Sequence, residues 1–263
     1  MELIDIGANL THESFSSDLR QVIEDAKNAN ISHIILTGTD LKTSLAAKEL
    51  SAASPSMHSS TAGFHPHVAS TFDDAAFAEI ARLSASTCVV AIGETGLDYN
   101  RNFSSKSDQL TAFERHLELA SDVHKPVFLH QREAHEDFYR LLAQYRGKLT
   151  GGVVHCFTDN EAALKDYLAL DMYIGVTGWI CDERRGLDLQ RITPMIPLNR
   201  LLIETDAPYL MPRNLNPKPK NRRNEPKYLI SVLEKIAECY QVSPEVIAQA
   251  TTTNAKILFN IDL

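Results

Sequence analysis

The chain has 263 residues and a mass of 29.3 kDa; its 44% hydrophobic residues are enough for a large core, and its charged fraction of 23% is near the globular average. Its formal net charge of −8 weighs against a protein that coats nucleic acid electrostatically, yet it permits an enzyme that holds a phosphodiester through a metal ion and a few cations. No apolar run reaches the ~18 residues of a membrane span and no secretory signal is visible, so we expect no membrane partner.

Short apolar runs recur along the chain, and each is followed by a turn and a helical pattern. We predict eight strands, at 3–9, 33–38, 59–64, 88–94, 126–130, 151–156, 172–178 and 201–206. The spacing predicts helices at 15–30, 41–53, 73–85, 105–124, 134–146, 159–170, 184–195, 226–240 and 244–259. Eight strands alternating with helices favour an α/β fold, a closed (β/α)8 TIM barrel that forms a single domain over residues 1–263.

The run 88–94 (CVVAIGE) is the most informative of the predicted strands. Nothing in it alternates between apolar and polar, so it is typical of a strand that is buried on both faces. Glu94 then stands where we expect the strand to stop. A carboxylate in that position costs several kcal/mol unless a cation or hydrogen bonds compensate its charge.

The carboxyl ends of the strands carry the active site in barrels of this kind, so the residues found there are the first functional candidates. They are Asp5, Asn9, Asp40, His65, His67, Glu94, Asp98, His130, Arg132, His155, Trp179, Glu204 and Asp206. Four of the ten histidines fall on this one rim. This clustering predicts a site built from imidazoles and carboxylates.

Glu94, His130, His155 and Asp206 end four different strands, so a barrel would bring them to one mouth. Imidazole with carboxylate suits Zn²⁺ or Mn²⁺, and it suits Mg²⁺ if water and substrate oxygens complete the shell. The alternative for any single histidine is a core residue that a backbone carbonyl satisfies. Four such residues at four strand ends favour a metal site.

Cys156 follows His155 directly and raises the alternative of a Cys–His nucleophile. Adjacent residues of a strand point to opposite faces, so the alternation predicts that Cys156 packs under a helix. We therefore expect no thiol chemistry. The four cysteines, Cys88, Cys156, Cys181 and Cys239, form no CxxC pair, which is typical of a reduced, cytoplasmic protein.

Three motifs, 92–99 (IGETGLDY), 63–67 (GFHPH) and 202–209 (LIETDAPY), resemble the signatures of the TatD family of metal-dependent deoxyribonucleases. The resemblance runs the length of the chain, through the shorter motifs FLHQREA, VHCF and RRNEP. It implies a TIM-barrel nuclease of the amidohydrolase superfamily with metal ligands at Glu94, His130, His155 and Asp206. It also implies a Mg²⁺-dependent 3′→5′ exonuclease on single-stranded DNA, with RNA as a further substrate and a suggested role in repair of oxidative DNA damage.

The chain departs from the family pattern near its first strand. Many members open with Asp-x-His-x-His, whose histidines bind metal, whereas Gly7 and Asn9 stand at those positions here. Glycine offers no donor and Asn9 offers only a neutral oxygen. We therefore expect an exchangeable ion, completed in part by substrate phosphate, rather than a permanently filled two-metal centre.

The remaining candidates concern proton transfer and phosphate binding. Asp206 could bind the ion, accept a proton from water, or do both, and Glu94 and His65 complete the predicted catalytic set. His65 could hydrogen-bond a phosphate oxygen or simply cap a loop, and His67 and Glu204 are left open between functional and structural roles. The candidates for phosphate contact are Arg132, Arg222 and Arg223, since arginine forms paired bonds to phosphate.

Two other functions compete with a nuclease. A small-molecule amidohydrolase would use the same barrel, but such enzymes usually carry the His-x-His pair and a bridging lysine, and the sequence shows neither. The second alternative is a non-catalytic role in quality control of protein export. For the nuclease we expect single-stranded nucleic acid as the partner and a monomer as the working form.

Overall fold

The computed structural model describes residues 2–262, and within them eight parallel strands form one sheet in chain order. The strands are β1 Leu3–Ala8, β2 Ile31–Leu36, β3 His58–Ala62, β4 Val89–Asp98, β5 Val127–Arg132, β6 Gly152–Val154, β7 Tyr173–Val176 and β8 Leu201–Ile203. A parallel bridge between Ala8 and Ala207 joins the first strand to the segment after the last. The sheet therefore curls into a barrel, and the prediction of a TIM barrel is confirmed.

Within residues 2–262, nine α-helices connect and follow the strands. They are α1 Leu19–Asn28, α2 Leu41–Ala53, α3 Asp74–Ser84, α4 Lys106–Val123, α5 His135–Tyr145, α6 Glu161–Ala169, α7 Leu187–Ile192, α8 Leu229–Tyr240 and α9 Pro244–Phe259. The bounds of α2 agree with the prediction because Asp40 forms a capping box with Thr43. Those of α9 agree because Ser243 and Pro244 define its start. No helix in this part of the chain has the length and apolar character that crossing a bilayer requires.

The fourth strand is longer than expected. We predicted that it stops at Glu94, which is wrong, since β4 continues to Asp98. Its pairing with β5 is irregular between Ile92 and Thr95, and Gly93 lies there at φ 146°, in a region that side chains rarely adopt. A bulge therefore carries Glu94 into the mouth of the barrel and lets the strand resume beyond it.

Two apolar clusters hold the barrel together. The larger one fills the space between the strands and the surrounding helices. The smaller one lies inside the barrel and contains Ile6, Phe128 and Leu202 with Phe259 of α9. The interior is therefore a packed core rather than a pore. Its upper face carries the mouth, where the ring of Phe128 lies 4.7 Å from that of His155.

Candidate metal centre

A cavity of about 750 Å³ opens at the carboxyl ends of the strands. Most of the predicted site residues line it together, namely His65, Glu94, His130, Arg132, His155 and Asp206. The barrel thus brings together side chains that are up to 141 positions apart in the sequence, as the positions of the strand ends predict. Arg222 and Arg223 are absent from the described lining of this cavity.

Glu94 is the centre of the arrangement. Its Oε1 lies 2.8 Å from Nε2 of His155, 3.1 Å from Nδ1 of His130 and 3.3 Å from Nε2 of His65. Burial alone would raise the pKa of this carboxyl, but the charge of His155 and the hydrogen bonds of the imidazoles hold it well below its ordinary value. Glu94 is therefore a carboxylate inside a ring of imidazoles.

The far nitrogens of two of these histidines each face a second carboxylate. Nε2 of His130 lies 3.2 Å from Oδ2 of Asp98, and Nδ1 of His155 lies 3.3 Å from Oε2 of Glu204. A carboxylate there accepts the proton of the far nitrogen. The near nitrogen donates to Glu94 while it is protonated, and it can offer its lone pair to a cation that replaces this proton. Both imidazoles are thus oriented as metal-binding histidines are.

In His65 the proton is on the nitrogen that faces Glu94, and the far nitrogen is an acceptor. Its Nδ1 accepts the backbone N–H of His67 at 3.1 Å, and burial lowers its pKa to about 4. The neutral ring must then carry its proton on Nε2, which faces Glu94. The nitrogens and oxygens of His65, Glu94 and His130 lie within 4.8 Å of one another, but the tautomer makes His65 a hydrogen-bond donor rather than a ligand.

Asp206 stands beside this cluster on the segment that follows β8. Its Oδ1 accepts a hydrogen bond of 3.0 Å from Nδ2 of Asn9, so Asn9 positions this carboxyl. Burial raises the pKa of Asp206 to about 8, and the charges of Glu94 and Glu204 add to the shift. A proton on Asp206 or a nearby cation relieves this crowding of carboxylates.

The donors present fit a divalent cation. Two imidazole nitrogens, whose protons toward Glu94 a cation would replace, and the oxygens of Glu94 and Asp206 face one cavity. Their mixture of N and O suits Mn²⁺, Zn²⁺ or Mg²⁺. The crowding that raises the pKa of Asp206 is what a bound cation would offset.

Glu204 explains the departure at Gly7. It is fully buried, and its Oε1 accepts the backbone N–H of Cys156 at 2.5 Å. A Cβ on residue 7 would come within 2.5 Å of Oε2 of Glu204, so a larger side chain at position 7 would displace this carboxylate. The carboxylate of Glu204, which orients His155, therefore fills the space beside β1.

The structure corrects the interpretation of Cys156. We predicted that it packs under a helix, but it lines the cavity with His155. Strand β6 ends at Val154, and Cys156 has φ 46°, so the alternation of a strand no longer applies there. Burial raises the pKa of the thiol well above its ordinary value, and the charges of Asp206 and Glu204 add to this effect. Its environment therefore opposes formation of a thiolate nucleophile.

Asp98 is the residue whose role the sequence did not reveal. Besides facing His130, its Oδ2 lies 2.9 Å from Nε2 of His67, and these hydrogen bonds hold the pKa of the carboxyl well below its ordinary value even though burial opposes this. The prediction that the strand ends at Glu94 concealed that Asp98 still lies on it, beside Arg132 of β5. Its place among the residues near the strand ends marked Asp98 as a candidate, but gave no sign that it faces His130 and His67.

The arginines divide into two groups. Arg223 donates to both carboxylate oxygens of Asp18 at 2.8 and 2.7 Å and to Glu225 at 2.9 Å, so it fastens the start of α1. Its guanidinium is thus occupied away from the cavity, which opposes the predicted phosphate contact. Arg132 and Arg101 line the cavity, and neither side chain has a hydrogen-bond or ion-pair partner among residues 2–262. Arg101 was not predicted.

Comparison with known proteins gives a consistent result. The family model described as TatD related DNase matches residues 4–260. A protein of Yersinia pseudotuberculosis named 3′-5′ ssDNA/RNA exonuclease TatD is 49% identical, covering 98% of this chain and 100% of its own. A TatD family hydrolase from Entamoeba histolytica has a TM-score of 0.89 at 28% identity over 98% of both chains. An amidohydrolase from Bifidobacterium longum, with a TM-score of 0.59 at 14% identity over 100% of both chains, shares the fold alone.

Proposed function

The chain belongs to the TatD-related DNase family, and we propose that it is a 3′→5′ exonuclease that hydrolyses phosphodiester bonds in single-stranded DNA and RNA. That it is a nuclease follows from the family match over nearly the whole chain. The polarity and the single-stranded substrates are those in the name of the Yersinia relative. We further propose that it works as a cytoplasmic monomer.

The observation that carries the proposal is the pairing of imidazoles with carboxylates around Glu94. His130 and His155 each turn one nitrogen toward Glu94 and the other toward a carboxylate that fixes the tautomer. We propose that Glu94, His130, His155 and Asp206 hold the cation, with Mg²⁺ as the working ion and Mn²⁺ or Zn²⁺ as ions that the same donors accept.

A divalent cation, when bound, polarises a phosphate oxygen and lowers the pKa of water beside it. As the oxygen of the attacking water bonds to phosphorus, the bond from phosphorus to the 3′ oxygen of the shortened strand breaks. The proton of the water goes to Oδ2 of Asp206, because Oδ1 is engaged by Asn9, and it then passes to the leaving 3′ oxygen. The Nε2–H of His65 donates to the carboxylate of Glu94 and so holds this group in place for the cation. Glu94 stays ionised throughout, since the surrounding imidazoles stabilise its charge.

Phosphate binding falls to the arginines at the mouth. Arg132 and Arg101 are exposed cations without protein partners among residues 2–262, so their forks are available to phosphate oxygens. Arg222 is also exposed but lies outside the described lining of the cavity, so we propose for it at most a contact with a distant part of the strand.

The test uses single strands of DNA and of RNA, each labelled at the 3′ end or at the 5′ end. We expect the 3′ label to be released as a mononucleotide and the 5′ label to remain on a shortening ladder. Chelation of the ion should stop both reactions, and Mg²⁺ should restore them. Undiminished cleavage in the chelator, or release from the 5′ end, would contradict the proposal.

A further inference from the structure

Two aromatic side chains at the mouth are unusually exposed. The chain has 10 Phe, 8 Tyr and 1 Trp, and within residues 2–262 only Phe103 and Tyr209 are strongly exposed, at 68% and 52%. Single exposed apolar residues need no explanation in themselves. Both of these line the same cavity, beside the donors around Glu94. Their common location is the observation to be explained.

The loop that carries Phe103 is tied down while the ring itself is not. Oδ1 of Asp98 accepts the backbone N–H of Arg101 at 2.8 Å, and Oγ of Ser104 donates to the carbonyl of His67 at 3.0 Å. The ring of Phe103 meets that of His67 edge-on, with centroids 4.9 Å apart. The fixed loop therefore holds an aromatic ring exposed at the cavity instead of packing it into the core.

Tyr209 occupies the opposite side of the mouth. It follows β8, whereas Phe103 follows β4, and these strands are four places apart in an eight-stranded barrel. The backbone N–H of Tyr209 donates to the carbonyl of Asp206 at 2.9 Å, so the ring is held one turn away from a site carboxylate. Its ring meets that of His12 edge-on at 5.9 Å, which leaves more than half of the side chain exposed.

The charges near Phe103 are positive and therefore complementary to the phosphates of a nucleic acid backbone. Arg101 lies in the same loop, and Arg132 lies beside Asp98 on the neighbouring strand. Neither has a carboxylate partner among residues 2–262, although the chain as a whole carries a net charge of −8. An exposed aromatic ring beside unpaired arginines is the combination with which proteins bind single strands.

We propose that Phe103 and Tyr209 are stacking residues for nucleobases, one on each side of the mouth, so that a single strand crosses the cavity between them. Arg101 and Arg132 hold the phosphates on the Phe103 side. Duplex DNA cannot bind in this way because its bases are already stacked, and the geometry therefore favours unpaired ends. The inference rests on the proposed nuclease function and assigns its base-binding residues.

The test is a double-mutant cycle in which the aromatic side chains and the nucleobases are removed separately and together. Equilibrium binding of a fluorescent oligothymidylate is measured by anisotropy in a chelator, so that no strand is cleaved. The same strand with its last two bases removed is the comparison. For the wild type we expect the loss of bases to weaken binding roughly 5- to 150-fold per stacked base. In the double variant Phe103→Ala, Tyr209→Ala the loss should be less than about twofold.

Two further variants separate stacking from general damage. Phe103→Trp keeps an aromatic face and should retain the sensitivity to base removal. Ile257→Ala removes an apolar side chain that is 66% exposed at the other end of the barrel, and it should behave as the wild type does. If the double variant stays as sensitive to base removal as the wild type, the stacking assignment is overturned while the nuclease function stands. If the wild type neither binds nor cleaves single strands, the proposed function fails and the inference fails with it.

Discussion

The two ends of the barrel each carry a cavity of similar size, yet their polar groups are used in opposite ways. The mouth measures about 750 Å³ and the cavity at the amino ends of the strands about 620 Å³. At the amino end, Lys125 donates to the carbonyls of Ser84 and Ser86 at 2.6 and 2.8 Å and also to that of Val89. Each of its donors therefore already has an acceptor within the protein.

At the mouth, by contrast, several charged groups are not balanced by partners within the protein. There Glu94 faces three imidazoles, Asp206 is crowded by other carboxylates, and two arginines have no partner among residues 2–262. Charged groups that pair with one another stabilise a fold. Charged groups that converge without enough protein partners are typical of a site that binds a ligand. The size of a cavity says much less than the state of its polar groups.

The largest effect is expected for Glu94→Gln, which keeps the shape of the side chain and removes its charge. We expect kcat to fall about 10³-fold, because several kcal/mol of charge stabilisation depend on the ion that Glu94 helps to hold. Rates on a labelled single strand measure this. Asp171→Asn makes the same chemical change at the opposite end, where Asp171 accepts from Arg146 and Arg200, and it should leave kcat unchanged. Equal losses in both variants would contradict the distinction.

Lys125→Met tests the opposite end. The variant keeps most of the apolar stem but leaves three backbone carbonyls without their donor, so we expect the free energy of unfolding to fall by about 3 kcal/mol. Urea unfolding measures this. Lys165→Met removes an exposed ion pair with Glu161 and should cost at most about 0.5 kcal/mol. A stable Lys125→Met protein with impaired cleavage would reverse the roles assigned to the two ends.

Asp98→Asn tests whether the carboxylate of Asp98 orients His130 for metal binding. The amide cannot hold the ring proton of His130 as a carboxylate does, so we expect affinity for Mn²⁺ to fall by about 10- to 100-fold. Calorimetric titration of the metal-free protein with Mn²⁺ measures this without turnover. Asp137→Asn alters a carboxylate paired with Arg140 on α5 and should leave the affinity as it is. Unchanged affinity in Asp98→Asn would show that this carboxylate does not orient His130.

A histidine at the amino end of the barrel should make the free energy of unfolding depend on pH. The ring nitrogens of His58, at the amino end of β3, have no hydrogen-bond partner among residues 2–262, and burial lowers its pKa to about 4. The unfolded chain binds a proton near pH 6.5 and the folded one does not, so stability falls as the pH drops from 6.5 toward 4. At pH 5 we expect a loss of about 2 kcal/mol from this group.

His58→Gln removes that titration, so its stability should depend less on pH than that of the wild type between pH 7 and 5. Urea unfolding at several pH values measures the difference. His124→Asn changes an exposed histidine at the end of α4 and should keep the wild-type slope. Parallel curves for His58→Gln and the wild type would show that His58 has the same pKa in the folded and unfolded states, which would contradict the prediction.

Much of the fold was predictable because local signals decide it. All eight strands overlap the apolar runs that were identified, and α2 and α9 have the predicted bounds, 41–53 and 244–259. The misses have local causes. Helix α7 is shorter than the predicted 184–195 because Gly186 precedes it and Pro194 ends it in a 3-10 turn. Helix α8 starts at Leu229 because Pro226 to Tyr228 form another such turn.

The site was predictable only in outline. Strand ends and barrel geometry predicted that Glu94, His130, His155 and Asp206 would share one mouth, and they line one cavity. The direction of single side chains was less accessible, as the error at Cys156 shows, because it depends on where β6 stops. Hydrogen-bond partners such as Asp98 and Glu204 depend on the register between strands, which composition and spacing do not encode.

The contact between Asn9 and Asp206 joins residues that are 197 positions apart, at the seam where the first and last strands meet. A chain that is still being synthesised therefore lacks one of its carboxylates until the eighth strand has left the ribosome. Neither a shortened nascent chain nor a fragment ending before the seam can assemble the full set of donors.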